Sequence, residues 1–326
     1  MNSKTKAVLL VSFMTLMTGF CYAESAGRAG AFLKLGVGAR ALGMGSAFTA
    51  VSDDSTAAFW NPAGLALLEK PEASFMHANL TLDRKYNFFN YAHVLKGKGN
   101  VSKGVVALSH MRFGIDGIPE TRLANARTDG LPFVGDEPAT DPAGSYTPGK
   151  NVYIFSYFDD TETNTFGSYA RRLAEKFYGG VNVKILKQSL FTNSADTWGM
   201  DLGFLYQASP KGTLGLSIRD IGEKLAWDTP SGHSDTIPIT TTFGTSYKPR
   251  ENVTLALDIN KTQDLDVKFR AGAEVWLRKI AAIRLGTQAG DLTLGASFKV
   301  ETWRFDYSYV NENLGAAHRI SASKTF

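Results

Sequence analysis

The chain carries a single cysteine, Cys21, near its start. One thiol excludes an internal disulfide framework and a thiolate metal cage. Long apolar runs are equally scarce. The clearest, Ala7–Phe20, is interrupted by Ser12, Thr15 and Thr18 and falls short of the roughly 20 apolar residues that a spanning helix needs. Neither charge dominates: 35 Lys and Arg stand against 31 Asp and Glu, a formal net charge of +4. With no basic runs, nucleic acid is not an expected partner. The histidines, His77, His93, His110, His233 and His318, are dispersed without metal-ligand spacing, so no metal and no cofactor are expected. No Gly-x-Ser-x-Gly elbow or comparable motif supports an enzyme. Proline is sparse except between 113 and 163, where Pro119, Pro132, Pro138, Pro142 and Pro148 gather.

What is present begins with a processing segment at 1–23. Lys4 and Lys6 precede the apolar run, and Cys21-Tyr22-Ala23 supplies a small-x-Ala cleavage site. The bulky Phe20 argues against a lipoprotein reading of Cys21, so cleavage is expected after Ala23. No further stretch of the chain is long and apolar enough to span a bilayer as a helix.

Residues 24–70 read as loop and short helix. Ala39–Val51 has helix-compatible composition, although Gly43 and Gly45 each weaken a helix by roughly 1 kcal/mol relative to alanine. Ser52 or Asp53 is placed to cap a second helix reaching Trp60. Asn61-Pro62 then acts as cap and first position of one more turn. Gly36-x-Gly38 and Gly43-x-Gly45 do not follow a strand, so they signal close backbone packing rather than a phosphate cradle. Asp53-Asp54 read as helix-start carboxylates rather than as a cation site.

From 71 to 326 the period is two. In 252–260, Val253, Leu255, Leu257 and Ile259 share one face, and Asn252, Thr254, Ala256, Asp258 and Asn260 the other. In 302–310, Trp303, Phe305, Tyr307 and Tyr309 oppose Thr302, Arg304, Asp306 and Ser308. This alternation predicts strands at 72–80, 86–95, 104–112, 164–173, 176–189, 197–207, 212–219, 238–247, 252–260, 268–277, 281–287, 292–299, 302–310 and 317–326. Asn151–Phe158 also alternates, as a loop hairpin or an extension of the fourth strand. Connections after odd strands are long and variable, with 113–163 the longest. Those after even strands are mostly tight. Outer-membrane barrels show this asymmetry, with short periplasmic turns and longer external loops.

A soluble sandwich also alternates. Three features favour a membrane barrel: aromatics at strand ends, a terminal Phe326, and charge on the polar faces. An unpaired buried charge costs several kcal/mol, so that face must be wet or paired. The charged lumen-facing set comprises Lys184, Asp201, Arg219, Asp258, Arg270, Glu274, Arg284, Arg304 and Asp306. Arg304 and Asp306 read as a lumen charge pair. The expected fold is an all-β transmembrane barrel of about 14 antiparallel strands, with the N-terminal segment as a plug.

The motif order is specific. Gly30-Ala31-Phe32-Leu33-Lys34-Leu35-Gly36-Val37-Gly38-Ala39-Arg40, Gly43-Met44-Gly45, Asp53-Asp54 and Trp60-Asn61-Pro62-Ala63-Gly64 come first. Ser168-Tyr169-Ala170-Arg171-Arg172, Gly180-Val181-Asn182-Val183-Lys184, Gly272-Ala273-Glu274 and His318-Arg319-Ile320-Ser321 follow. Together they resemble the PorV/PorQ family, a branch of FadL-like outer-membrane barrels. The resemblance implies a barrel with its N-terminal segment in the lumen, so Gly36, Gly38, Gly43, Gly45, Asp53, Asp54, Trp60, Asn61, Pro62 and Gly64 form the expected plug motif. For function it implies an accessory of type IX-like secretion, binding secreted cargo or machinery components at the external loops in the outer-membrane lipid. The alternative is a FadL-like conduit for hydrophobic small molecules. The Asn-Pro-Ala motif is shared by both branches and does not separate them.

Overall fold

The structure is a computed structural model, and it describes residues 28–97, 102–123, 152–229, 232–312 and 315–326. The expected leader lies outside the described residues. The strands are β1 (Glu72–Asn79), β2 (Lys85–Lys96), β3 (Ser102–Leu123), β4 (Val152–Ala174), β5 (Phe177–Leu190), β6 (Asn193–Ser209), β7 (Gly212–Ile221), β8 (Lys224–Trp227), β9 (Ser234–Thr236), β10 (Thr240–Arg250), β11 (Val253–Thr262), β12 (Val267–Leu277), β13 (Ala281–Gln288), β14 (Asp291–Val300), β15 (Trp303–Glu312) and β16 (Gly315–Thr325).

The sheet is antiparallel and closed. β1 pairs β16 in register from Glu72↔Thr325 to Asn79↔His318, and β5 pairs β6. β10 pairs β7 directly, which leaves β8 and β9 as a small hairpin beyond the wall, held to β6 at Ala195↔Trp227. Fourteen strands therefore make the barrel wall. Closure removes the free edges that an open sheet would expose.

The period of two decides which side chains face out of the barrel and which face in. Leu294, Phe298, Phe305, Tyr307 and Ile320 point out and are exposed, whereas Thr293, Ser297, Asp306, Ser308 and Ser321 point in and are buried. Tyr206, Tyr247, Trp303 and Phe326 are exposed near the ends of the strands, where an amphipathic ring suits a membrane interface.

Residues 113–163 are not one loop. β3 runs on to Leu123 and β4 begins at Val152, so Asn151–Phe158 lies almost wholly within the fourth strand. The composition misled because Asp116, Gly117 and Pro119 look like loop. A register shift between Ile115 and Ile118 absorbs Asp116 and Gly117, with Gly117 at φ 69, and Pro119 pairs in register with Tyr157 just beyond it. Such a bulge is the usual way to accommodate residues that a regular ladder rejects. Residues 124–151 lie outside the described part.

The two rims differ in charge. The rim of tight turns exposes Lys96, Lys103, Arg171, Arg172, Lys176, Lys211, Lys248, Arg250, Arg278, Lys279 and Lys299 against Glu175, Glu251 and Glu301. The rim of long connections exposes Asp83, Asp116, Asp159, Asp196, Asp228, Asp264 and Asp266 against Lys85, Arg112, Lys187, Lys224 and Lys261.

Candidate functional site at the seam between plug and wall

Residues 30–65 lie inside the barrel and are almost all buried. They form a 3-10 turn at Ala31–Lys34, short helices at Ala39–Gly43 and Ala57–Trp60, and a second 3-10 turn at Pro62–Leu67. The helix expected over Ala39–Val51 stops at Gly43, because Gly45 (φ 63) and Ser46 (φ 58) turn the chain left-handed. The next helix starts at Ala57, not at Ser52 or Asp53, and Asp54 accepts bonds from the backbone and hydroxyl of Thr56 just before it.

Backbone contact with the wall is very close. A Cβ at Gly272 of β12 would collide with the Met44 carbonyl oxygen. One at Gly203 of β6 would strike the Asn61 amide oxygen, and one at Gly180 of β5 the Pro62 backbone. The Asn61 side chain donates to the Thr49 carbonyl at 2.9 Å and to the Phe204 carbonyl of β6 at 3.0 Å. Its oxygen accepts from the Ala63 amide at 3.2 Å, capping the Pro62 turn. Trp60 donates its indole N–H to the Val37 carbonyl at 3.0 Å. Gly64 sits directly against Ser52, and Gly36 against Trp60 and Leu42.

One half of the seam is ionic. Arg40, on the plug, makes a two-pronged contact with Glu274 of β12 (2.9 Å on each arm) and also reaches Asp54 at 2.9 Å and Asp53 at 2.6 Å. Glu274 receives Arg284 of β13 at 2.7 Å. Arg304 of β15 joins Asp306 at 2.9 Å to Asp54 at 3.0 Å. Burial pushes the Asp54 carboxyl up, but Arg304 and Arg40 beside it prevail and hold it at about 2. Asp258 of β11 accepts from the amides of Phe48 (3.1 Å) and Thr49 (3.0 Å), and Arg219 lies 4.7 Å over the Phe59 ring. Arg270 is buried opposite Asp258 in the ladder.

A second ionic group sits under the long-connection rim. Lys184 of β5 contacts Asp201 at 2.8 Å, Asp220 at 2.6 Å and Glu223 at 2.7 Å, and Lys34 of the plug reaches Asp220 at 2.7 Å. Asp201, Asp220 and Glu223 converge closely enough to hold a cation, but the Lys184 ammonium already occupies their centre. Burial raises Glu223 to about 7, with Lys184 pulling down and Asp220 pushing up. Burial likewise lowers Lys34 despite Asp220.

The other half of the seam is mostly apolar, apart from Ser55, which donates to Glu72 at 2.9 Å and to Ser74 at 3.0 Å at the start of β1. Met76, Phe88, Val105, Met111 and Phe113, on β1 to β3, belong to one buried cluster with Phe32, Leu33, Val37, Trp60 and Leu65 of the plug. Phe32 stacks on Phe113 with centroids 6.2 Å apart. The Gly38 amide meets the Met76 sulfur at 3.1 Å. A void of about 10 Å³ beside Gly38, Met76 and Phe88 has room for no more than one water.

Every charged residue singled out on the strand faces points inward and is buried or half-buried, with carboxylates and cations mostly matched. Sequence reasoning passed over Arg40, Lys34, Asp220 and Glu223. Arg40 did leave a signal: it is the sole charged residue between Leu35 and Ser52, and a lone charge in a buried run requires a partner.

No family model matches the chain, and no curated protein matches it. Solved structures do match. The Pseudomonas putida toluene transporter TodX aligns at 12% identity over 89% of this chain and 97% of its own, TM-score 0.55. A second, described as the CymD monoaromatic hydrocarbon channel, aligns at 15% identity over 90% and 98%, TM-score 0.56. A Pseudomonas aeruginosa FadL homologue aligns at 13% identity over 87% and 96%, TM-score 0.54. This chain has the fold of the FadL-like barrels.

Proposed function

We propose that this protein is an outer-membrane conduit for hydrophobic small molecules, held shut in this structure by its N-terminal plug. The observation that carries the reading is the division of the seam. Ion pairs fasten the plug to β12 and β15, while on the side of β1 to β3 apolar contacts dominate, and the hydrogen bonds there, to Glu72, Ser74 and Met76, are confined to β1. An apolar molecule crossing along β2 and β3 meets the apolar cluster rather than the ion pairs, and burying its surface there is favourable. The fold shared with proteins described as a toluene transporter and as monoaromatic hydrocarbon channels supports this reading. So does the lipid-facing outer surface. The tight-turn rim then faces the periplasm, as in outer-membrane barrels generally, and residues 1–23 act as a cleaved leader.

The test is uptake of labelled toluene by cells expressing the protein, compared with Phe113→Arg and with cells lacking the protein. Faster uptake with the wild type, reduced by Phe113→Arg to the background, is expected. Uptake equal to background with the wild-type protein in the membrane overturns the reading.

A second reading is an accessory of type IX-like secretion within the PorV/PorQ group. The extension of β3 and β4 beyond the wall, together with the β8–β9 hairpin, favours it by giving the long-connection rim a raised platform. Loops and ribbons on a rigid scaffold are common recognition surfaces. Co-purification of a secreted protein that is lost on trimming the β8–β9 hairpin would favour this reading over the conduit.

A further inference from the structure

Apart from Lys248, which reaches Asp53 of the plug at 3.5 Å, the cations of the tight-turn rim make no ion pair with the plug among the described residues. In the lumen, carboxylates meet the buried lysines and several of the arginines. On the rim most of them do not: among the described residues Lys103, Arg171 and Arg172 form no ion pair with a carboxylate. These three, with Tyr169, line an open cleft of about 430 Å³ where β3 starts and β4 ends. The geometry of the cleft is fixed by backbone contacts. The Tyr169 hydroxyl donates to the Lys103 carbonyl at 3.1 Å, and Arg172 donates through Nε to the Ala174 carbonyl at 3.1 Å and through a terminal nitrogen to the Glu175 carbonyl. Leu173, beside them, is exposed and apolar. The cleft therefore lies where the lipid-facing band gives way to water, at headgroup level.

We propose that the tight-turn rim is a docking collar for anionic phospholipid headgroups, with the Lys103–Tyr169–Arg171–Arg172 cleft as its best-formed site. A phosphodiester there meets the guanidinium groups, whose planar donors match phosphate oxygens. The tyrosine hydroxyl, its proton given to the Lys103 carbonyl, holds the shape of the cleft, and the acyl chains lie along Leu173 and the wall. Cations beside an anionic leaflet are attracted individually and additively. The opposite rim, rich in exposed aspartate, repels the same headgroups, so the charge difference also orients the barrel. The inference rests on the membrane reading of the barrel and does not depend on what crosses the lumen.

The experiment uses the full mature chain purified in neutral detergent. It is incubated with equal amounts of phosphatidylglycerol and phosphatidylcholine of identical acyl chains, and bound lipid is counted by native mass spectrometry. A preference for phosphatidylglycerol of about ten-fold is expected, the gain from roughly one to two well-placed cations. Lys103→Gln/Arg171→Gln/Arg172→Gln removes most of it, while Lys187→Gln/Lys224→Gln on the opposite rim leaves it unchanged. If the triple variant fails to fold, the wild type decides: its preference must fade between about 0.1 and 1 M salt, over which the Debye length falls from roughly 10 to 3 Å. Glycerol phosphate competing as well as the lipid would reduce the site to one for free phosphate and overturn the lipid assignment. Equal binding of the two lipids, a preference that survives the triple variant, or displacement of the lipid by polyglutamate as the tighter ligand also overturns it.

Discussion

Removing the Arg40 side chain tests the ionic anchorage most directly. Arg40 is buried and bridges plug to wall through Glu274 and, within the plug, Asp53 and Asp54. Breaking a buried ion pair from one side costs about 3–5 kcal/mol, because the partner keeps its desolvation cost without its counter-charge. Here the partners are not left bare: Glu274 keeps Arg284 at 2.7 Å, and Asp54 keeps Arg304 at 3.0 Å. The low end applies, about 3 kcal/mol, which is roughly a 150-fold rise in the population of loosened plug. Hydrogen exchange on the amides of Ala39–Gly43 and Ala57–Trp60, measured on protein in detergent, reads that population directly. Arg40→Ala should speed exchange there by about two orders of magnitude while leaving the barrel strands protected. If exchange in the plug changes by less than about three-fold in Arg40→Ala, the ion pairs do not hold the plug and the reasoning fails.

Three further outcomes follow from the same contacts. Gly272→Val drives a side chain into the Met44 backbone, so the plug should be displaced at a cost of about 1–3 kcal/mol or more, raising single-channel conductance in planar bilayers. Asn61→Ala strips the donor from the Thr49 and Phe204 carbonyls and should lower thermal stability by about 1–3 kcal/mol, with faster exchange at Ala63 and Gly64. Glu223 stands near 7 against an ordinary 4.5, so the folded state binds this proton more tightly than the unfolded chain does. Its contribution to stability is complete below about 4.5 and is lost as pH rises through about 7. The β8–β9 hairpin should therefore become more protease-sensitive between pH 5 and 8 (about the span of the shift), and Glu223→Gln should flatten that profile.

The strands were legible because one residue of slip exchanges the outer face for the lumen, so composition fixes register wherever the two faces differ. The period survives in β14 and β15 even where the lumen face is charged. What was not legible was pairing across the lumen. Asp53 and Asp54 look like the start of a helix, and their local sequence contains nothing else to explain them. Arg304, which pairs with Asp54, is 250 positions away, beyond any local pattern. The same holds for Lys34, whose role depends on Asp220 at the far end of β7. The extension of β3 was hidden for a different reason: Gly117 and Pro119 are loop residues by composition, and only a bulge lets a ladder pass through them.

The seam has a direction because its two halves fail differently. Separating the ionic half strands several buried charges together, since Glu274, Arg284, Asp306, Arg304 and Asp54 share one network, and the loss of one contact raises the cost of the others. Separating the apolar half exposes mainly methionine, phenylalanine and aliphatic groups along β2 and β3, with the hydrogen bonds of Ser55 to Glu72 and Ser74 confined to the start of β1, and an apolar guest can cover that surface as it appears. Movement of the plug is therefore expected to begin at β1 to β3 and to pivot about β12 to β15. Tethering the plug to β3 should then block passage, whereas tethering it to β12 should not. A pair of cysteines introduced at Leu33 and Phe113 (this chain's own Cys21 lies outside the described residues) and a pair at Arg40 and Glu274 give the two tethers. Toluene uptake that is stopped by the second pair and spared by the first would refute the pivot.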